Sequence, residues 1–502
     1  MIKLPTSSQT READAYTIRN KPISSLDLME AASLAFVRAF KEEISDKSTL
    51  ISIYCGTGNN GGDGLAIGRL LKDNAYDSIS VKISRFSANV SPDFKANLKR
   101  LELTGIPITE VSEPGNFPKE EADVIIDALI GSGLNKALEG DLKALVEHLN
   151  KLRKKVIAVD VPSGFPSEGM IEPNAAILRA DLTISFQRPK INFFFPESSK
   201  ILDRFKVVQI GLDENFIQSL PGLWKLIEEK DIRGLIKPRK AFSHKGTYGH
   251  ALIIAGSTET MGAALLCADA CLHSGAGLTT ACIPVDGLFA LNARSPEIMA
   301  LIRPDMFAVN QLDKYSSIAI GPGLGTDQKA VALVEQVMTC KKVPIVFDAD
   351  ALTILSVYPE LLKKLPEMAI LTPHVKEFDR MFGEHSFWWE RVETVRKKAE
   401  ELQVIILLKN QYSFIALPDG DVLINPTGNP AIAIGGMGDV LTGMIVAFLT
   451  QGYSSKDAVI LACYLHGQAG DELHEESGMY IVPARYLIER LPYIINKYSL
   501  EY

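Results

Sequence analysis

The chain has 502 residues, too many for one ordinary hydrophobic core, so two or three domains are expected. Its composition, 46% hydrophobic and 23% charged, is that of a soluble globular protein and excludes a fibrous or disordered one. The 53 basic and 61 acidic residues leave a net charge of −8, and no Lys/Arg block interleaves with aromatics, which argues against a nucleic-acid surface. The six cysteines (Cys55, Cys267, Cys271, Cys282, Cys340, Cys463) show no CxxC or Cys/His metal spacing, and Cys267 and Cys271, four apart in a helical pattern, read as core packing. The opening residues, MIKLPTSSQTREADAYTIRN, are polar and lack the apolar region of a signal peptide. Asp269 and His273 interrupt the apolar stretch Met261 to Ala276, so no membrane span is expected and a cytoplasmic enzyme is the default.

The first helix pattern centres on LDLMEAASLAFVRAF, with Ser24 or Ser25 as its N-cap. Short apolar runs then alternate with helical segments. The strand candidates are Leu50–Cys55, Ile79–Ser84, Val124–Asp127, Val156–Val161, Leu182–Phe186 and Phe205–Ile210; the helical segments between them include Leu65–Asp73 and Asp141–Leu152. Strands this continuously apolar are covered on both faces, which predicts a parallel α/β domain with helices on either side. From Asp213 to Pro238 the pattern breaks into charges, Pro221 and a helix-like WKLIEEKDI with no strand, and the domain boundary is set near Leu223, giving domains 1–223 and 224–502.

A second α/β series follows, with strands at His250–Ala255, Leu278–Ile283, Ile318–Gly321, Pro344–Asp348, Ala369–Thr372 and Val404–Leu408. A hairpin, Ser413–Leu417 and Asp421–Asn425, is joined by the turn Pro418-Asp419-Gly420. No period of 20 to 50 residues repeats.

In the first domain, strand Leu50–Cys55 runs into GTGNNGGDG and a helix, the strand–turn–helix geometry of a phosphate or dinucleotide site. Gly56, Gly58 and Gly61 spell G-x-G-x-x-G, but the acidic residue usual about 20 positions on is missing, so an ordinary NAD redox site is not expected. Asn59 and Asn60 offer amide oxygens suited to a hard cation. Two further strands end in Asp127, before Gly131-Ser132-Gly133, and in Asp160-Val-Pro-Ser163-Gly164. Each alone is an ordinary strand-end turn; three on one sheet point to a site.

CGTGNNGGDG, DALIGSG and AVDVPSG, preceded by SLDLMEAAS, resemble the N-terminal epimerase domain of NAD(P)H-hydrate repair enzymes over roughly residues 1 to 215. The resemblance implies a Rossmann-like three-layer domain, and that Asn60, Asp127 and Ser163 help hold K⁺. It also implies that Asn59, Asn60, Gly61, Gly62 and Asp63, with Gly131, Ser132, Gly133, Leu134, Asn135, Lys136 and Ala137, contact the hydrated dinucleotide, with Asp160 as acid/base.

In the second domain, KGTYGHALIIAGSTETMGAA is a strand, a Gly/Ser turn and a small-residue helix, and GPGLGTD follows another strand with N–H groups that can bind an anion. Asp348, Asp350, His374 and Glu377 follow successive strands; with oxygen ligands dominating, Mg²⁺ carried on a nucleotide fits better than a dedicated zinc site, and the alternative is that Asp350 and Glu377 are solvated loop charges. The stretch GNPAIAIGGMGDVLTG, residues 428 to 443, has two readings: a helix capped by Asp439, or an anion hole of glycine N–H groups with Asp439 as a base toward a hydroxyl.

These elements resemble the C-terminal dehydratase domain of the same repair enzymes, which is ribokinase-like, over about residues 225 to 500. That implies that Lys409, Asn410, Gln411, Tyr412, Ser413 and Gly438 bind ADP and that Ala263, Gly325, His374 and Asp439 contact the hydrate, with Mg²⁺ on the nucleotide. It further implies NADHX and NADPHX as substrates and a homo-oligomer; no membrane partner is expected. Met437, Asn410 and Lys376 depart from the family, which usually has Thr, Gly and Gly there; Asn410 is expected to replace Gly by tolerating a left-handed backbone. A small-molecule kinase for the second domain, and a nucleotide-binding scaffold for the first, are the rival readings.

Overall fold

The computed structural model describes residues 1–86, 89–112, 115, 117, 119–134, 136–308 and 310–499. The chain divides into two compact units: residues 3–222 with 387–389, and residues 1–2 with 223–386 and 390–502. The return of residues 387–389 to the first unit was not legible in sequence. Within that unit the Trp388 N–H donates to Glu197 Oε1 at 2.8 Å and Trp389 packs edge-on against Phe195.

Strands are numbered from the N-terminus, where β1 (Ile2–Lys3) forms an edge of the second sheet. The first unit carries β2 (Ile51–Cys55), β3 (Ile79–Ser84), β4 (Ile108–Val111), β5 (Val124–Ala128), β6 (Lys155–Val159), β7 (Ala180–Phe186) and β8 (Leu202–Val208). All pair in parallel, in the order β4-β3-β2-β5-β6-β7-β8.

Successive strand side chains point to opposite faces, and both faces are covered. Ile53, Ile126 and Ile157 join a core with Phe36, Leu71 and Phe94, whereas Tyr54, Ile125 and Ala158 join another with Leu145 and Leu149. The strand order reverses between β2 and β5, and in open α/β sheets the crevice at that point, beyond the carboxyl ends, takes the ligand.

Glycine makes this crevice possible. A Cβ on Gly61 would lie 1.8 Å from the Gly56 carbonyl oxygen, and one on Gly64 would lie 2.6 Å from the Ala128 Cβ, so the helix Asn59–Asp73 lies tight against its own turn and the sheet.

The second unit carries β9 (Trp224–Leu226), β10 (His250–Ile254), β11 (Leu278–Ile283), β12 (Met299–Ile302), β13 (Ser317–Ile320), β14 (Ile345–Phe347), β15 (Ile370–Leu371), β16 (Ile405–Leu408), β17 (Ser413–Ala416) and β18 (Val422–Asn425). The order is β1-β9-β18-β17-β16-β15-β14-β13-β10-β11-β12, and β17 runs antiparallel to both neighbours, forming the expected hairpin with β18. Every residue of the helix Met437–Thr450 from Val440 onward is buried, as expected for a helix apolar on all sides. Gly443 lets it approach the helix Met261–His273.

Several expectations change. The break near Leu223 is not strand-free: Trp224–Leu226 pairs in parallel with Val422–Ile424, because Trp224 finds Phe414 to pack on, a partner nearly 200 residues away that local pattern cannot supply. The polar N-terminus forms a helix, Ser7–Asn20, held by a Thr6–Gln9 capping box. The edge strands β4 and β12 were too short and mixed to read. The strand expected at Val156–Val161 stops at Val159, because Asp160 turns into the left-handed region at φ 65°.

Gly443→Ala should be a sharp test of the helix contact. Its Cβ would sit 2.1 Å from the Cys267 carbonyl oxygen, so we expect a loss of about 1–3 kcal/mol and a melting temperature lower by several degrees in thermal unfolding. An unchanged melting curve would contradict that packing.

Candidate active sites

In the first unit a cavity of about 940 Å³ opens at the carboxyl ends of β2, β5, β6 and β7. Of the sequence-predicted residues, Asn59, Asn60, Asp63, Gly131, Ser132, Gly133 and Asp160 line it. Gly61 packs on Gly56 and Gly62 on Met29, so they shape the turn. Leu134 joins a hydrophobic cluster, Lys136 and Ala137 are exposed away from the lining, and Asn135 lies outside the described residues.

Asp127 and Ser163 pair at the ends of their strands, and Asn60 lines the cavity beside Gly131. The Ser163 hydroxyl donates to Asp127 Oδ1 at 2.6 Å, and the Ser163 N–H donates to Oδ2 at 2.7 Å. Burial pushes the Asp127 carboxyl up to about 6, against the opposing hydrogen bonds from Ser163 and Leu129. Asn60 Oδ1 lies 3.0 Å from where a Gly131 Cβ would be, and its Nδ2 is buried without a partner among the described residues. Asp127 and Ser163 are buried, and with the half-buried Asn60 they offer carboxylate, hydroxyl and amide oxygens of the kind a hard cation prefers.

Asp160 is buried and pairs with Lys190 Nζ at 2.7 Å. The Phe186 N–H and Ser185 hydroxyl also donate to its Oδ1, at 3.1 and 3.3 Å. Lys190 escaped sequence reasoning: it stands four residues past β7, and only the fold carries it back to Asp160. Burial pushes Asp63 well above the usual carboxylate range, and Asp160, Asp14 and Asp93 add to the effect. Asp14, on the helix missed from sequence, also lines the cavity.

In the second unit the residues gather at the N-terminus of the helix Met437–Thr450. Its N-cap is Gly436, in the left-handed region at φ 89°, and no side chain caps it, so Asp439 is the third helical residue and not the cap. The first-turn N–H groups are left to meet an anion. Burial pushes the Asp439 carboxyl up to about 7; Asp348 and Asp350 add to this and Lys409 opposes it.

Lys409 Nζ sits 3.4 Å from where a Gly438 Cβ would be and pairs with Asp348 Oδ1 at 2.9 Å. The Thr442 hydroxyl donates to the other Asp348 oxygen at 2.7 Å. Burial pulls the Lys409 ammonium down, but Asp348 and Glu377 outweigh it and its pKa is raised.

The remaining predicted residues attach to this centre by short links. The Gly325 N–H donates to Asp350 Oδ2 at 2.8 Å, and the loop before it rests on Thr260, whose hydroxyl donates to the Gly323 carbonyl at 2.7 Å. Thr260 precedes the helix that carries half-buried Ala263. His374 caps the helix Val375–Phe382: its N–H donates to Glu377 Oε2 at 2.8 Å, and its Nδ1 accepts from the Glu377 N–H at 3.2 Å. The Lys409 N–H donates to the Pro373 carbonyl at 2.9 Å, which joins the His374 and Lys409 loops. Glu377 is buried, so it is not a solvated loop charge.

Gln411 and Tyr412 form the turn after Lys409, where the Ser413 hydroxyl donates to the Asn410 carbonyl at 3.1 Å. Asn410 is not among the residues with positive φ, so its tolerance does not come from a left-handed backbone. Lys376, the second residue of its helix, is exposed and unstrained, and Met437 is buried in the core.

Two supports escaped sequence reasoning. Asp471 accepts from the Gly428 N–H at 3.0 Å and from Asn429 Nδ2 at 2.7 Å, fixing the start of the glycine stretch. Burial pushes the His466 imidazole down to about 4, against an opposing hydrogen bond with the Met437 backbone, so a neutral ring abuts the first turn of the Asp439 helix. The signal was HGQAGD, residues 466 to 471, which reads as an ordinary helix interior.

Two family models match different parts of the chain. A family model described as NAD(P)H-hydrate dehydratase matches residues 251–493, and one described as YjeF-related protein N-terminus matches residues 25–192. The chain is 32% identical to the bifunctional NAD(P)H-hydrate repair enzyme Nnr of Moorella thermoacetica, over 99% of this chain and 97% of the relative. It is 32% identical to the Vibrio cholerae protein of the same name, over 98% of each.

Among solved structures, the ADP/ATP-dependent NAD(P)H-hydrate dehydratase of Bacillus subtilis, co-crystallised with ATP and Mg²⁺, is 35% identical with a TM-score of 0.50, covering 55% of this chain and 98% of that one. A ribokinase-like superfamily protein of Enterococcus faecalis is 30% identical with a TM-score of 0.51, covering 55% and 96%. The chain belongs to the bifunctional NAD(P)H-hydrate repair enzymes.

Proposed function

We propose that residues 1–223 epimerise the R and S hydrates of NADH and NADPH, and that residues 224–502 dehydrate the S hydrate with ADP, giving NAD(P)H, AMP and phosphate. The observation that carries the dehydratase is Asp439 in the first turn of an uncapped helix with Lys409 beside Gly438. The hydrate bears a hydroxyl on the carbon next to the ring nitrogen. Asp439 takes that proton as the oxygen attacks the terminal phosphorus of ADP, and AMP leaves. The N–H groups at Gly435 to Gly438 and the Lys409 ammonium stabilise the charge on the transferring phosphoryl group. The nitrogen lone pair then expels phosphate, and loss of a ring proton restores the dihydronicotinamide. Elimination after transfer accounts for a lyase on a kinase-like scaffold.

Lys409 to Ser413 and Gly438 hold the nucleotide in this reading, and Ala263, Gly325, His374 and Asp439 hold the hydrate. The half-buried Asp350 and buried Glu377 would face Mg²⁺ carried on the phosphates, where the ion supplies charge neutralisation. In the epimerase, Asn60, Asp127 and Ser163 would hold K⁺, whose charge offsets the burial of Asp127. Asp160, paired with Lys190, is the acid/base. Six free cysteines suit a reducing compartment, supporting a cytoplasmic location. The exposed apolar side chains of Val285, Phe289 and Met306 support a homo-oligomer that would cover them.

Asp439→Asn should lower phosphate release from ADP and the S hydrate by at least about 100-fold while epimerisation continues, and Asp160→Ala should do the converse. Dehydration near the wild-type rate in Asp439→Asn would contradict the base assignment. A stable phosphorylated alcohol formed from ATP would instead favour a small-molecule kinase.

The pH profile gives a second test. A base must be deprotonated, and the Asp439 carboxyl is pushed up to about 7, so dehydratase kcat/KM should be full above that pH and fall about tenfold per unit below it. A profile flat down to about pH 5 would contradict the role.

A further inference from the structure

Epimerisation by ring opening needs more than one proton position. The hydrate is a carbinolamine, and opening its ring at the hydroxyl-bearing carbon moves a proton off oxygen while another reaches nitrogen. Asp160 with Lys190 meets the first need. Asp14 faces the same cavity from the helix Ser7–Asn20. That helix is anchored: Ala13 and Thr17 are buried, and Thr17 Oγ1 accepts from the Asp213 N–H at 3.0 Å. Asp14 itself is half-buried and makes no hydrogen bond or ion pair with a described residue, so its carboxyl is free for a ligand.

Resting on the epimerase reading above, we propose that Asp14 is a second catalytic carboxyl of this domain, donating a proton to the ring nitrogen while Asp160 accepts the hydroxyl proton. The O–H electron pair forms the aldehyde C=O, the C–N bond breaks, and its electron pair goes to nitrogen, which takes the Asp14 proton. The open chain turns its other carbonyl face to the nitrogen. The nitrogen re-adds and returns its proton to Asp14, and the oxygen recovers the proton from Asp160. Nothing is oxidised or reduced, and only the configuration changes.

The charged groups around Asp14 suit the division. Arg11 stands three residues before it on the same helix, and Asp63, Glu139, Asp141, Asp160 and Lys190 line the cavity from other elements. Burial pushes the Asp14 carboxyl up to about 6, Asp160 adds to this, and Lys190 opposes it. Burial likewise pushes Asp63 well above the usual carboxylate range, with Asp160, Asp14 and Asp93 adding to the effect.

The test measures epimerisation of the R hydrate by the full chain, with dehydration of the S hydrate by ADP as an internal reference. Asp14→Asn should lower epimerase kcat about 100-fold with KM within about threefold, leaving dehydration unchanged. Wild-type epimerase kcat should fall as pH rises above about 6, because the donor must be protonated; this alkaline fall should vanish in Asp14→Asn and persist in Asp14→Glu, which should regain part of the rate. A wild-type rate in Asp14→Asn, or a reduced rate that keeps the alkaline fall, overturns the proposal. A wild-type chain that does not epimerise at all overturns the epimerase reading with it.

Discussion

The ion pair between Asp348 and Lys409, closed by the Thr442 hydroxyl, ties three separate elements at one point. Asp348 follows β14, Lys409 follows β16, and Thr442 stands on the second turn of the Asp439 helix. Removing one partner of a buried pair commonly costs about 3–5 kcal/mol, because the other charge is left without compensation. The pair therefore fixes where the helix N-terminus stands relative to the strand ends. It also adjusts the local field: burial raises the Asp439 carboxyl, Asp348 adds to the rise, and Lys409 opposes it. A carboxyl that titrates near physiological pH can both take and release a proton during turnover.

The two units reach similar chemistry by different routes. Each buries carboxylates at the carboxyl ends of parallel strands, where glycine-rich turns let the backbone approach a ligand. In the first unit the charge balance is a close Asp160–Lys190 pair among further carboxyls, suited to moving protons without moving a phosphoryl group. In the second, an uncapped helix and a lysine supply the positive field that a phosphoryl group demands. One hydrate, met first by a site that inverts its carbon and then by a site that removes its water, leaves neither epimer stranded.

Much of this was legible in the residues. Continuous runs such as Ile79–Ser84 and Leu278–Ile283 read directly as buried parallel strands, because both faces must be apolar. The turn at Gly56 was legible because few other residues allow such close backbone approach. What escaped depended on long-range partners. Trp224–Leu226 becomes a strand only beside Val422–Ile424, and Lys190 matters only once the fold returns it to Asp160. Asp14 stood in a stretch whose helical face is too weakly apolar to notice. The capping reading of Asp439 fell only when the cap position proved to be Gly436, in the left-handed region.

The central claim, that one chain repairs both epimers by inversion followed by phosphoryl-assisted dehydration, meets its most direct test with pure R hydrate as the sole dinucleotide. Wild-type enzyme and ADP should restore the dihydronicotinamide absorbance completely, with one AMP and one phosphate released per NADH and no phosphorylated dinucleotide remaining. Recovery no faster than spontaneous epimerisation, or accumulation of a stable phosphorylated product, would contradict the account.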